Sequence, residues 1–126
     1  MNYFVNLSTH NHIFWSPKQL ENSKKYGEII EYYPDEIESN MNSLDIYKLA
    51  LKTVNNIIKK YKKNDNEITV LVEANHIYSY YVVSELKKNN IKAVWPYSKR
   101  LERDYNPTVE IRMTEKKYIF ENYIEY

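Results

Sequence analysis

The chain alternates between short apolar runs and segments in which apolar residues recur every third or fourth position. Short apolar runs predict strands, and the longer spacing predicts amphipathic helices. We predict strands over 3–7, 28–33, 68–72 and 91–95, and helices over 17–26, 44–62 and 77–88. Strands that alternate with helices form a mainly parallel sheet with helices on both faces. The order βαβαβαβ therefore predicts an α/β, Rossmann-like domain of three layers.

Capping signals define the first helix best. Ser16 is placed to cap the helix, Pro17 stands at its first position, and Gln19 can complete a capping box. Gly27 is the only glycine of the chain, and it falls where a left-handed cap would end this helix.

The C-terminal part has the pattern of a β-hairpin. Val109, Ile111 and Met113 alternate with polar residues, 114–116 predict a turn, and 118–123 form a tyrosine-rich run. Two alternating runs joined by a short polar turn predict two antiparallel strands.

Length and charge restrict the class of protein. The 126 residues are enough for one domain, which we expect to span 1–126. The chain has 18 basic and 17 acidic residues, so we expect no binding of long nucleic acid through overall charge. No apolar run approaches the ~20 residues of a membrane span, and the first residues lack the basic flank and apolar centre expected of a signal peptide. We expect a cytoplasmic protein that does not bind membranes.

The chain lacks the residues that several common kinds of binding site and active site require. A single glycine excludes the dinucleotide fingerprint and the phosphate-binding P-loop, which both need several. The chain has no cysteine, which excludes disulfides and thiol nucleophiles. His10 and His12 are only two apart and His76 is distant, which is a weak metal pattern. We expect no metal and no cofactor.

The loop after the first strand is a candidate binding loop. Ligands of open α/β sheets bind at the carboxyl ends of the strands. Ser8, Thr9, His10 and Asn11 follow the first strand and offer hydrogen bonds to phosphate, ribose or base. The alternative is a polar loop whose side chains cap its own backbone.

Two further strand ends carry candidate residues. Glu73, Asn75 and His76 follow the third strand and lead into a helix, whose start is a natural anion site. Asn75 can also serve simply as the helix cap. A loop is predicted after the fourth strand, which Pro96 should end.

That predicted loop supplies the positive charge. It contains Ser98, Lys99 and Arg100, and the guanidinium fork of arginine suits phosphate. Together the three loops predict a pocket for a small anionic ligand, and a nucleotide fits these groups best.

The chain resembles the small stand-alone CARF-type (CRISPR-associated Rossmann fold) proteins of type III CRISPR loci, some of which are ring nucleases. The resemblance lies in the Ser- and His-bearing loop after the first strand and in four further stretches. These are the helix start at 15–20, the strand and helix entry at 70–75 with the helix at 78–86, the stretch 91–100 that begins with the fourth strand, and the aromatic strand at 118–123.

The resemblance implies a homodimer that binds a cyclic oligoadenylate across its two-fold axis in CRISPR antiviral signalling. Cleavage would need no metal: a ribose 2′-hydroxyl attacks the adjacent phosphorus and leaves a 2′,3′-cyclic phosphate. His10 would transfer the proton, and Lys99 and Arg100 would stabilise the phosphate. Ser8, Thr9 and Asn75 would position the ring.

Two alternatives remain open at the level of sequence. The same fold could sense or sequester a nucleotide without cutting it. It could also be a structural subunit whose loops contact a partner protein.

Overall fold

The structure is a computed structural model that describes residues 1–101 and 117–126. The strands are β1 (Tyr3–Ser8), β2 (Glu28–Glu31), β3 (Ile68–Glu73), β4 (Lys92–Leu101) and β5 (Lys117–Glu125). The helices are α1 (Pro17–Lys24), α2 (Ser43–Tyr61) and α3 (His76–Lys88), with a 3₁₀ turn at His12–Phe14.

The described strands form one five-stranded sheet in the order β2-β1-β3-β4-β5. Neighbours from β2 to β4 are parallel, and β5 is antiparallel to β4. The prediction of an α/β fold with a mainly parallel sheet is therefore confirmed. β2 lies on one side of the central pair β1 and β3, and β4 lies on the other side, so the strand order reverses between β1 and β3. The carboxyl ends of β1 and β3 therefore form the crevice where such sheets bind ligands.

Apolar residues on both faces of the sheet are buried. On one face, Val5 and Val70 belong to a core that includes Val54 of α2 and Val82 of α3. On the other face, Phe4, Leu71 and Val94 are buried against a set of partly buried aromatic residues, which includes Trp15, Tyr26 and Tyr123. The alternation of side chains along each strand separates these two cores.

α1 begins at the predicted residue with the predicted Ser16 cap, but the Gln19 side chain donates to Tyr123 Oη and completes no capping box, and the helix ends earlier than predicted. Ser16 Oγ accepts a hydrogen bond of 3.2 Å from the Gln19 amide, and Pro17 is the first helical residue. The helix ends at Lys24, so Gly27 is not its left-handed cap. Gly27 instead has a φ of 144° and lies so close to β1 that a Cβ would be 2.3 Å from Asn2 O.

The fourth strand is longer than predicted, because Pro96 does not end it. β3 pairs with β4 only as far as Val94, and beyond that residue β4 pairs with β5 alone. Proline is tolerated where one side of a strand needs no N–H donor. Residues 97–100 therefore lie within β4, and the predicted loop after the fourth strand is wrong.

The C-terminal hairpin is described in part. The predicted arm at 109–113 lies outside the described residues. The second arm is β5, which pairs with β4 and has a register shift between Tyr97 and Ser98. Among the helices that the structure describes, none is long and apolar enough to cross a membrane.

Candidate functional site

A cavity of about 420 Å³ lies at the carboxyl ends of β1 and β3, on the face of the sheet that α1 covers. It contains four of the predicted site residues: Ser8, His10, Glu73 and Ser98. Ser8 and Glu73 are direct neighbours in the register of β1 and β3. Ser98 comes from β4, two strands away from β1. The cavity therefore unites residues that are distant in sequence.

His10 and Glu73 form the titratable pair of this cavity. His10 Nε2 lies 3.7 Å from Glu73 Oε1, and the imidazole is 71% exposed. An imidazole next to a carboxyl group is a pair of side chains that general acid–base catalysis uses.

Burial changes the acidity of the carboxyl group in this pair. Desolvation raises the pKa of Glu73 above its ordinary value of 4.5, and the charge of His10 lowers it in part. A raised pKa brings a carboxyl group closer to the range in which acid–base chemistry operates.

Asn6 fixes the loop that carries His10. Asn6 is fully buried, and its Nδ2 donates to the His10 carbonyl at 2.9 Å. Ser8 Oγ donates to Asn6 Oδ1 at 2.7 Å, and the His10 amide donates to Ser8 Oγ at 3.2 Å. Both backbone groups of His10 are thus bound by β1 side chains. The Ser8 hydroxyl therefore takes part in holding this loop, as in the alternative of a self-capping loop.

Glu31 anchors the other end of this network. Its carboxylate accepts hydrogen bonds of 3.0 and 3.1 Å from Asn6 Nδ2 and one of 2.9 Å from the His12 amide. His12 Nδ1 also contacts Glu31 Oε1. Neither Asn6 nor Glu31 is among the residues predicted from the sequence. The available signal was a polar residue in the middle of the apolar run at 3–7.

Aromatic side chains and the start of α1 complete the cavity wall. Trp15, Ser16 and Gln19 contribute from the α1 side, and Tyr118 and Phe120 from β5. A helix start carries partial positive charge, which favours an anion nearby. The cavity therefore combines flat apolar surface with a weakly electropositive end.

Three residues of the predicted binding loops do not line this cavity. Thr9 is exposed beside the cavity. Asn11 caps the 3₁₀ turn through the Ile13 amide and donates to Tyr33 Oη at 3.0 Å. Asn75 caps α3, where its Oδ1 accepts from the amides of Ile77 and Tyr78.

The predicted basic pair lies within β4 and not in a loop. Lys99 is exposed, and it follows Ser98, which faces the cavity. Side chains alternate along a strand, so Lys99 faces the opposite side of the sheet. Its predicted role at the phosphate finds no support in this cavity. Arg100 pairs with Tyr118 through the β4–β5 ladder, and its side chain lies outside the described part.

A second cavity of about 520 Å³ lies between α3 and β4. His76 lines this cavity and not the first, whereas Glu73 lines both. Within the described ranges, no three His, Asp or Glu side chains form a group that could hold a metal ion.

The fold and cavity define an α/β protein with a ligand-sized crevice at the point where strand order reverses. The chain belongs to the family described as "Uncharacterized protein MJ1673 family", whose model matches residues 2–123. No curated protein and no solved structure matches the chain.

Proposed function

We propose that this protein binds a cyclic oligoadenylate at the carboxyl ends of β1 and β3 and cleaves it as a metal-independent ring nuclease in CRISPR antiviral signalling. The proposal includes a Rossmann-like classification of the fold and a homodimer whose two copies share the ring. It rests on the resemblance together with one structural observation: His10 and Glu73 meet in a cavity at the reversal of strand order.

The position of the cavity supports a nucleotide ligand. Open α/β sheets bind their ligands, nucleotides among them, at the crevice where the strand order reverses, and here that crevice lies between β1 and β3. Trp15 and Tyr118 offer surfaces on which bases can stack, and base stacking on aromatic rings is tolerant of sequence. The start of α1 favours the negative charge of a phosphate.

The proposed reaction uses the ribose hydroxyl of the ligand as nucleophile. The neutral imidazole of His10 takes the proton of a 2′-hydroxyl, and O2′ forms a bond to the adjacent phosphorus. The bond from phosphorus to O5′ breaks, and O5′ takes up a proton from the imidazolium. The products are a 5′-hydroxyl and a 2′,3′-cyclic phosphate. Asn6 and Ser8 contribute by holding His10 in place.

A second candidate function is binding without cleavage. Lys99 faces away from the cavity, and the Ser8 hydroxyl is engaged with Asn6. Both facts reduce the number of groups available to stabilise a reacting phosphate. A module that senses or sequesters the nucleotide needs only the cavity.

Incubation with labelled cyclic tetra- and hexa-adenylate in EDTA distinguishes the two functions. Ring cleavage predicts a linear product that ends in a 2′,3′-cyclic phosphate, resolved by chromatography and mass spectrometry. His10→Ala should retain binding while turnover falls by about 10²–10⁴-fold. Asn55→Ala, an exposed change on α2, is the matched control. Binding without product supports the sequestering function, and absence of binding refutes both.

A further inference from the structure

The second cavity lies on the opposite face of the sheet from the first and has an aromatic lining. Its volume of about 520 Å³ is within the range of roughly 300–1,000 Å³ typical of small-molecule sites. Trp95 of β4 and Tyr80 of α3 line it and are 40% and 68% exposed. Large aromatic surfaces that stay open to solvent mark binding sites more often than isolated apolar residues do.

Small side chains leave room beside these rings. Ala74, Ser79 and Ser84 line the cavity on the α3 side, and Ser79 Oγ accepts a hydrogen bond of 3.2 Å from the Ala74 amide. Tyr126, the last residue, also lines the cavity, and its hydroxyl donates a hydrogen bond of 2.7 Å to the Val72 carbonyl. The cavity is therefore bounded in part by groups that hydrogen bonds hold in place.

Glu73 connects the two cavities, because its side chain lines both. A ligand held at the end of β3 can therefore contact both cavities beside Glu73. The carboxyl group of Glu73 stands at the junction and can accept a hydrogen bond from an exocyclic amine.

We infer that the second cavity is a nucleobase subsite that takes an adenine ring, with Trp95 and Tyr80 as stacking surfaces. The inference rests on the proposed function, since the ribose and phosphate of the same nucleotide then occupy the first cavity. Adenine satisfies both features of the cavity: a flat purine stacks on the aromatic rings, and its exocyclic amine donates to Glu73.

The two tryptophans of the chain make the test specific. Trp15 lines the first cavity and Trp95 the second, and the sequence has no other tryptophan. The full chain labelled with 5-fluorotryptophan therefore gives one ¹⁹F resonance for each cavity, assigned with Trp15→Phe and Trp95→Phe. The probes are adenosine, AMP, uridine and cyclic tetra-adenylate, titrated at constant ionic strength.

The inference predicts that adenosine and AMP shift the Trp95 resonance and that uridine does so more weakly. Purine riboside, which lacks the exocyclic amine, should also bind more weakly than adenosine. Tyr80→Ala should lower the affinity for AMP by roughly tenfold to a hundredfold, because one stacking surface is lost. Leu44→Ala, an exposed apolar change on α2, should leave the affinity unchanged.

The outcomes separate this inference from the proposed function. Cyclic tetra-adenylate that shifts only Trp15 overturns the base subsite and leaves the proposed function standing. Adenosine that shifts Trp95 while cyclic tetra-adenylate shifts neither resonance supports the subsite and refutes the proposed function. If no probe shifts either resonance in the unmodified chain, both are refuted. Circular dichroism of Tyr80→Ala shows whether its loss of affinity reflects the site or misfolding.

Discussion

The buried amide of Asn6 donates a hydrogen bond of 2.9 Å to the backbone carbonyl of His10. The position of an exposed histidine is thereby set by a residue in the interior of the sheet. The same amide group contacts Glu31 of β2. Three segments that are separate in sequence are thus coupled at the edge where we propose that the ligand binds.

Asn6→Leu tests this coupling. The change keeps the size of the side chain but removes the buried amide that donates to Glu31 and to the His10 carbonyl and accepts from Ser8, so we expect unfolding to require about 1–3 kcal/mol less free energy. Urea denaturation measures this, and the His10 ring resonances should shift in NMR spectra. Asn55→Ala, which is exposed on α2, should change stability by no more than about 0.5 kcal/mol. Unchanged His10 resonances would contradict the positioning role.

The raised pKa of Glu73 predicts that the stability of the fold depends on pH. Burial raises the pKa of Glu73 above 4.5 in the folded chain, so the folded state holds this proton more tightly than the unfolded state. The resulting stabilisation is full below pH 4.5 and disappears as the pH rises through the folded pKa. Relative to Glu73→Gln, the parent should lose stability across that window in urea titrations. Parallel curves for the two proteins would show that the carboxyl group is not desolvated.

His10→Ala should raise the pKa of Glu73 further. The charge of His10 lowers this pKa in part, and the variant removes that contribution while burial remains. NMR titration of the Glu73 side-chain carboxyl carbon measures the change directly. A fall in this pKa would mean that the two groups do not interact as their 3.7 Å separation indicates.

Tyr78 should make the fold sensitive to alkali. Burial raises the pKa of Tyr78 to about 12, although its hydrogen bond to Thr53 acts in the opposite direction. The stabilisation by the neutral phenol is present below the ordinary value of 10.0 and is lost as the pH rises through about 12. Tyr78→Phe should be less stable at neutral pH by about 1 kcal/mol, and this deficit should shrink above pH 10. The exposed Tyr80→Phe is the control on the same helix, and a constant deficit would refute the explanation.

Gly27→Ala should destabilise the chain. An added Cβ would lie 2.3 Å from Asn2 O, and the φ of 144° is itself unfavourable for alanine. Backbone strain of this kind costs on the order of 1–3 kcal/mol, and the close contact adds to it. Lys25→Ala, exposed two residues earlier, should be nearly neutral. Equal denaturation midpoints for the two variants would show that Gly27 is not required.

Local signals predicted most of the elements. The start of α1 depends on Ser16, Pro17 and Gln19, which are neighbours in the chain, so it could be located from sequence. The long periodic segment of α2 and the apolar run of β3 were found for the same reason. Of the candidate site, Ser8, His10, Glu73 and Ser98 do line one cavity. The common edge of parallel strands follows from the alternation of strands and helices.

The sequence by itself determined the order of the elements, the mainly parallel sheet and the edge at which the polar loops gather. Only the tertiary structure decided that β4 continues through Pro96, since its pairing with β5 joins residues far apart in the chain. That continuation placed Ser98 in the cavity and turned Lys99 away from it. The buried contact of Asn6 with Glu31 likewise spans 25 positions. The register of a strand, and the face of the sheet on which each of its side chains lies, depend on partners that are remote in sequence. Local sequence patterns carry no information about such partners.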